Sequence, residues 1–180
     1  MTAITIGLTG PAGVGKDTVG LFMSSIHEYD VFSFAKPLKD GLSIMFNIPR
    51  EDFDDRALKE VNHVQWGLSP RAFAQTCGTE FARNFVGADV WIRRLAFDEE
   101  FMRSPRRVIT DVRFDNEADW VRSQGGVIWH LSRSGVQSVR SHVSEAGVRF
   151  RDGDVHFVND GDFDDCKEVC CKALVLSGGC

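Results

Sequence analysis

The chain has 180 residues, 43% apolar and 26% charged, the balance of one globular domain with a buried core and not of a fibre or a disordered segment. Its net charge of -5 argues against a protein that grips a nucleic-acid polymer through a basic face, while 15 arginines against 6 lysines suit phosphate recognition inside a local pocket. Five cysteines form no CxxC or Cys/His cluster, which argues against a disulfide framework or a zinc site, and no apolar run of ~18 residues could cross a membrane. The expectation is a reduced, cytoplasmic protein with no membrane partner and with Cys77, Cys166 and Cys170 as buried thiols.

Residues 3–9 alternate with β-branched side chains into a glycine cluster, the pattern of a strand entering a tight loop. From Lys16 to His27 the apolar residues Val19, Phe22, Met23 and Ile26 mark one face of a helix. A short strand is expected over 30–34, and Pro37 opens a helix carrying Leu38, Leu42, Met45 and Phe46. Residues 50–67 are charged and weakly periodic and receive no assignment. Ser69-Pro70 is an N-cap followed by proline at the first helical position, opening a helix to about Val86 with Phe73, Cys77, Phe81 and Phe85 on its apolar face. At helical spacing Arg71, Gln75, Gly78 and Thr79 line up on the opposite side.

Asp89 is placed as cap of a further helix with Trp91, Ile92 and Leu95, running to about Met102 and broken by Ser104-Pro105. A buried strand over 107–111 ends in the Asp111 carboxylate, Asp115 caps a helix to Gln124, and strands follow at 127–131 and 155–158. A last helix carries Phe163, Cys166, Cys170 and Leu174. Five short strands interleaved with helices predict an α/β fold whose parallel sheet is covered on both faces.

Gly10 to Lys16 matches GxxxxGK, the loop whose backbone N–H groups wrap a nucleotide's phosphates while the lysine reaches the outer ones. About 0.05 such matches are expected by chance at this composition, and the flanking strand and helix are independent requirements, so the match carries the assignment. The ATP-binding set is then Gly10, Ala12, Gly13, Val14, Gly15, Lys16, Asp17 and Thr18, with Arg133 and Asn159 added from the later loops. Asp17 stands where a Ser or Thr hydroxyl usually touches Mg2+, and a carboxylate beside phosphates is tolerable only with a cation between them. Asp17 and Asp111 are accordingly the metal candidates, directly or through water. A GTPase would need an NKxD-type guanine reader and a DxxG, neither of which falls in a usable place, and motor ATPases are larger. A small kinase remains.

Here the sequence resembles the bacteriophage deoxynucleoside monophosphate kinases, through GPAGVGKDT, SFAKPLKD at 33–40, SPRAFAQTCGTEFAR at 69–83 with Trp91 beyond it, TDVRFDNEADW at 110–120 and HVSE at 142–145. GKD followed by Thr also occurs in animal phosphomevalonate kinases, the nearest competing family. The resemblance implies a P-loop, NMP-kinase-like fold: a core of 1–34, 105–131 and 153–180, an NMP-binding insert of about 35–104 and a lid of about 132–152. It implies acceptor contacts at Lys36, Arg71, Gly78, Thr79, Trp91 and Asp111, to which Gln75 and Arg113 are added from their positions. A Trp91 ring over the C2' edge would exclude a ribose hydroxyl.

The expected activity is transfer of the γ-phosphoryl group of ATP to a dNMP, with Lys16, Asp17, Asp111, Arg113 and Arg133 as the catalytic set and Arg140 as a second lid arginine. Because the acceptor is already an anion, Asp111 is a positioner or metal partner more than a base. A kinase for another phosphorylated metabolite and a nucleotide-binding regulatory module stay open as alternatives. So does a homodimer.

Overall fold

The computed structural model describes residues 3–136, 147–161 and 163–176. Arg140, His142, Ser144, Glu145 and Cys180 lie outside the described residues, as do the side chains of Phe163 and Cys166. The chain divides into two compact units, one of Met1–Ser33 with Ala96–Cys180 and the other of Phe34–Leu95.

The first unit is built on five strands, β1 (Ile4–Thr9), β2 (Asp30–Phe32), β3 (Arg106–Ile109), β4 (Val127–Ser132) and β5 (Val155–Val158). They pair in parallel, as the sequence predicts, and their order is β2-β3-β1-β4-β5. Parallel strands need crossovers, so helices must cover the sheet and the central strands become apolar on both faces. β1 is buried from Thr5 onward, whereas Asp30 and Val31 on edge strand β2 are exposed. Helix α1 (Lys16–His27) buries Val19, Phe22 and Met23, while Ile26, expected on the same stripe, is exposed. Trp129 on β4 is fully buried and stacks on Phe157 of β5 with ring centroids 5.7 Å apart. Truncating such a residue to alanine typically costs about 3–5 kcal/mol. Cys170 and Leu174 of the last helix, α7 (Phe163–Leu176), close this core.

The second unit contains α2 (Lys36–Phe46), two short 3-10 turns (Arg50–Phe53 and Leu58–Glu60) and α3 (Pro70–Gln75), which continues as a π-helix over Thr76–Val86. Its core gathers Leu42, Ile48, Phe53 and Phe73, with Leu38, Phe46, Ala74 and Cys77 against them. The unassigned stretch 50–67 is held by single anchors instead of a periodic face. Arg50 binds both Asp40 and Asp54, Lys39 binds Asp54, and the Trp66 indole donates to the Phe46 carbonyl at 2.9 Å.

Further expectations need correction, beginning with Met45, which is 72% exposed and not on the buried face of α2. Phe73 is buried, but Phe81 and Phe85 are 60% and 81% exposed and stack on each other, because the helix widens to i→i+5 bonding after Gln75 and loses the 3.6 period. The helix expected from Asp89 to Met102 is two, α4 (Val90–Ala96) and α5 (Glu99–Arg103), since Asp98 takes up the Glu100 and Phe101 amides as a new N-cap. β3 ends at Ile109, two residues before Asp111, although Thr110 and Val112 still bond to Phe32 and Leu8. Asp115 does not cap α6 (Asp115–Ser123). The buried Glu117 reaches back to the Arg113 and Phe114 amides, while Asp115 pairs with Arg149.

Among the described residues no helix is long and apolar enough to cross a membrane.

Candidate active site

In an open parallel sheet, ligands bind beyond the carboxyl ends of the strands. The residues that follow the five strands of the first unit are the P-loop after β1, Ser33 after β2, Asp111 after β3, Arg133 after β4 and Asn159 after β5. Four of these five positions were expected from the sequence; Ser33 was not. Its hydroxyl donates to Asp111 Oδ2 at 2.7 Å and so orients the half-buried carboxylate. Ser33 opens the SFAKPLKD string, which is the only sign of it in the sequence.

Gly10, Gly13 and Gly15 take φ of 141°, 82° and 99°, values that side-chain-bearing residues rarely adopt, and this is what curls the loop. Val14, between them, is fully buried in the core and pins the loop at its centre. Lys16 Nζ folds over the loop onto the Gly10 and Pro11 carbonyls at 2.6 and 2.8 Å, from which a phosphate must draw it. Ala12, Asp17 and Thr18 are exposed, the last two in the first turn of α1, where backbone N–H groups and the helix dipole favour an anion. Arg113 is half-buried and Arg133 exposed. Asp160 accepts bonds from the Ser134 amide and hydroxyl; these hydrogen bonds, with a smaller contribution from the Arg133 charge, hold its carboxyl below the usual range. Asn159 is buried, and its side chain bonds to the loop itself, donating to the Val14 carbonyl at 2.8 Å.

In the second unit Arg71, Gln75 and Thr79, each four residues from the next, are all half-buried, which a plain solvated stripe would not be. Gly78 leaves that stripe. A Cβ there would stand 2.6 Å from Leu38 Cδ2, so the missing side chain admits α2 and not a ligand. Its carbonyl accepts the Trp91 indole N–H at 3.0 Å, which fixes the half-buried ring against the π-helix. Two of the three cations expected to meet the acceptor's phosphate, those of this unit, carry carboxylate partners, Lys36 with Asp40 at 2.7 Å and Arg71 with Glu60. Burial pushes the Asp40 carboxyl up, but the Lys36 and Arg50 bonds and charges outweigh it and hold it low.

A family model described as deoxynucleotide monophosphate kinase matches residues 51–169. This span begins beyond the P-loop, so the loop is separate support. A putative deoxynucleotide monophosphate kinase of Acanthamoeba polyphaga mimivirus is 31% identical over 170 residues, covering 87% of this chain and 88% of that protein. The deoxynucleotide monophosphate kinase of enterobacteria phage T4 is 31% identical over 130 residues, covering 63% of this chain and 53% of the phage protein, about half its length. Among solved structures, a gluconokinase from Sinorhizobium meliloti superposes with a TM-score of 0.50 at 15% identity over 97% of this chain and 93% of that one, a likeness of fold alone. With a match over most of the chain, a relative aligned nearly end to end and a phosphate loop at the carboxyl edge of the sheet, the chain belongs to the deoxynucleotide monophosphate kinase family.

Proposed function

We propose that this chain transfers the γ-phosphoryl group of ATP to a deoxynucleoside monophosphate, giving dNDP and ADP. The observation that carries the proposal is the family match over residues 51–169 on a chain whose first strand feeds a glycine-curled phosphate loop. Phosphoryl transfer asks a protein chiefly for positioning and charge neutralisation. The loop amides of the first unit and Lys16 hold the β and γ phosphates of ATP, Arg133 adds a charge beyond β4, and Thr18 meets an inner phosphate. Asp111 positions the acceptor with Arg113.

The exposed Asp17 carboxylate and the Ser33-oriented Asp111 are oxygen donors of the kind Mg2+ takes, one or two carboxylates with phosphates and water completing the shell. Bound there, Mg2+ would supply charge neutralisation of the triphosphate. The unit Phe34–Leu95 supplies the acceptor contacts: Lys36 and Arg71 for the phosphate, Gln75 and Thr79 as polar neighbours, and Trp91, anchored by Gly78, against the sugar or base. Its ring over C2' is the proposed basis for preferring a deoxy sugar.

The acceptor is a free mononucleotide, not a polymer, and the setting is cytoplasmic; a homodimer is a matter for sedimentation. Coupled ADP release measured over the four dNMPs, the four NMPs and phosphomevalonate tests the reading. Turnover with dNMPs supports it. Turnover confined to phosphomevalonate, or ATP binding with no turnover, replaces it with the metabolite kinase or the regulatory module.

A further inference from the structure

Asn159 lies one residue beyond β5, 7% exposed, and its own amide donates to the Ser132 carbonyl at 2.8 Å, so the end of β5 is fixed to the end of β4. Its side-chain Nδ2 donates at 2.8 Å to the carbonyl of Val14, 145 positions away in sequence. That carbonyl and the N–H of Gly15 are the two poles of one peptide unit. In a trans peptide they point in opposite directions, and the described chain has no cis bond. A donor that holds the Val14 oxygen therefore turns the Gly15 N–H away from Asn159.

On the Gly15 side little opposes a change of that orientation. Gly15 at φ 99° lacks the Cβ that would bar the plane from rotating. It also could not acquire one, because a Cβ would stand 2.3 Å from Asn159 Nδ2. The glycine and the asparagine are thus complementary: the first makes the plane free and leaves room, the second fixes it.

We propose that Asn159 is a positioning residue of the phosphate loop, holding the Val14–Gly15 peptide so that the Gly15 N–H faces the phosphates of the bound nucleotide. A preorganised donor needs no reorientation when the phosphate arrives. This replaces the direct ATP contact expected from the sequence, and it rests on the reading of the loop as a triphosphate cradle.

The test compares wild type with Asn159→Asp, which keeps the shape, loses the donor and sets a carboxylate oxygen against the Val14 carbonyl. Binding of ATP, GTP and inorganic tripolyphosphate is measured by calorimetry with Mg2+ present, beside the melting temperature and the acceptor KM. The expected result is a loss of about tenfold, equal for all three ligands because the phosphates are what they share, with the acceptor KM unchanged. Asn159→Ala removes the donor without adding a charge; the same loss is expected there, which separates the lost bond from repulsion of the phosphates and stands in should the aspartate prevent folding. Loss for ATP but not for tripolyphosphate would make Asn159 a base contact and overturn the proposal. Unchanged affinities with a lowered melting temperature would make it a fold support only, and overturn it equally. If wild type binds none of the three, it is the triphosphate reading that fails, an outcome distinct from wild type and variant binding alike.

Discussion

Glu60 already holds Arg71, so an incoming phosphate competes with that carboxylate for the guanidinium, and the strength of the competitor can be stated. The Arg71 side chain is 28% exposed and that of Glu60 51%, which places the pair in the solvent-screened class worth about 0.2–1 kcal/mol. Glu60→Gln keeps the size of the side chain and removes its charge. If the acceptor's phosphate takes the place of the carboxylate, acceptor KM should fall by roughly 1.4- to 5-fold at low ionic strength, the Boltzmann equivalent of that range. The ATP KM should not move, because the ATP contacts assigned above belong to the other unit. Screening should shrink the difference as salt approaches ~1 M, where the Debye length is about 3 Å. The assay is initial-rate ADP release at saturating ATP with varied dNMP at two salt concentrations. An acceptor KM that rises in Glu60→Gln would mean that Glu60 holds Arg71 in its productive pose, and an unchanged one that the phosphate does not take the carboxylate's place; either result rules out the competition.

Gly78→Ala should destabilise the protein by about 1 kcal/mol, the overpacking against Leu38 exceeding the gain in helix propensity, and lower the melting temperature by about 2–4 °C in a thermal scan. An unchanged or raised melting temperature would show that Leu38 yields freely. A pH prediction comes from Asp154, a side chain 2% exposed that Arg122 contacts at 2.6 Å and His130 at 3.0 Å. Burial raises the Asp154 pKa, but the Arg122 bond, the Arg151 amide and His130 outweigh it and hold the carboxyl below its ordinary value. Its folded pKa lies below the unfolded one, so its stabilisation is present above about pH 4 and is lost as pH falls through the folded value. Burial lowers the His130 pKa more than Asp154 raises it, so neutral His130 is favoured and stability is also lost as pH falls below about 6.5. Urea midpoints should therefore decline in two stages, His130→Gln removing the upper and Asp154→Asn reducing the lower, to which Asp40 and Asp160 also contribute. Midpoints whose pH dependence is the same in wild type and both variants would contradict this.

The parallel sheet, the phosphate loop and the carboxylate after β3 were legible because each has a local signature: short β-branched runs, fixed glycine spacing, a charge ending an apolar strand. The second unit was less so. Its 50–67 stretch is tied down by Asp40, Arg50, Asp54 and Trp66, whose contacts follow no period. The π-helix defeated the placing of Phe81 and Phe85, because a pattern read at 3.6 residues per turn assumes the very geometry that changes at Thr76. Asp115 looked like a cap by position, yet Glu117 reaches the free amides from one turn inside, and only the buried geometry distinguishes the two. Ser33, Glu60 and Asp40 escaped notice because each acts through a partner distant in sequence or ordinary in type.

Everything proposed for the two units depends on the P-loop serving a mononucleotide acceptor. The most direct measurement of that role is steady-state ADP release with each of the four dNMPs, run beside Lys16→Ala, which removes the only lysine of the loop. Turnover with at least one dNMP, saturable in both substrates, is expected of the wild type, and its loss in the variant. ADP release independent of every dNMP, or undiminished in Lys16→Ala, would contradict that role.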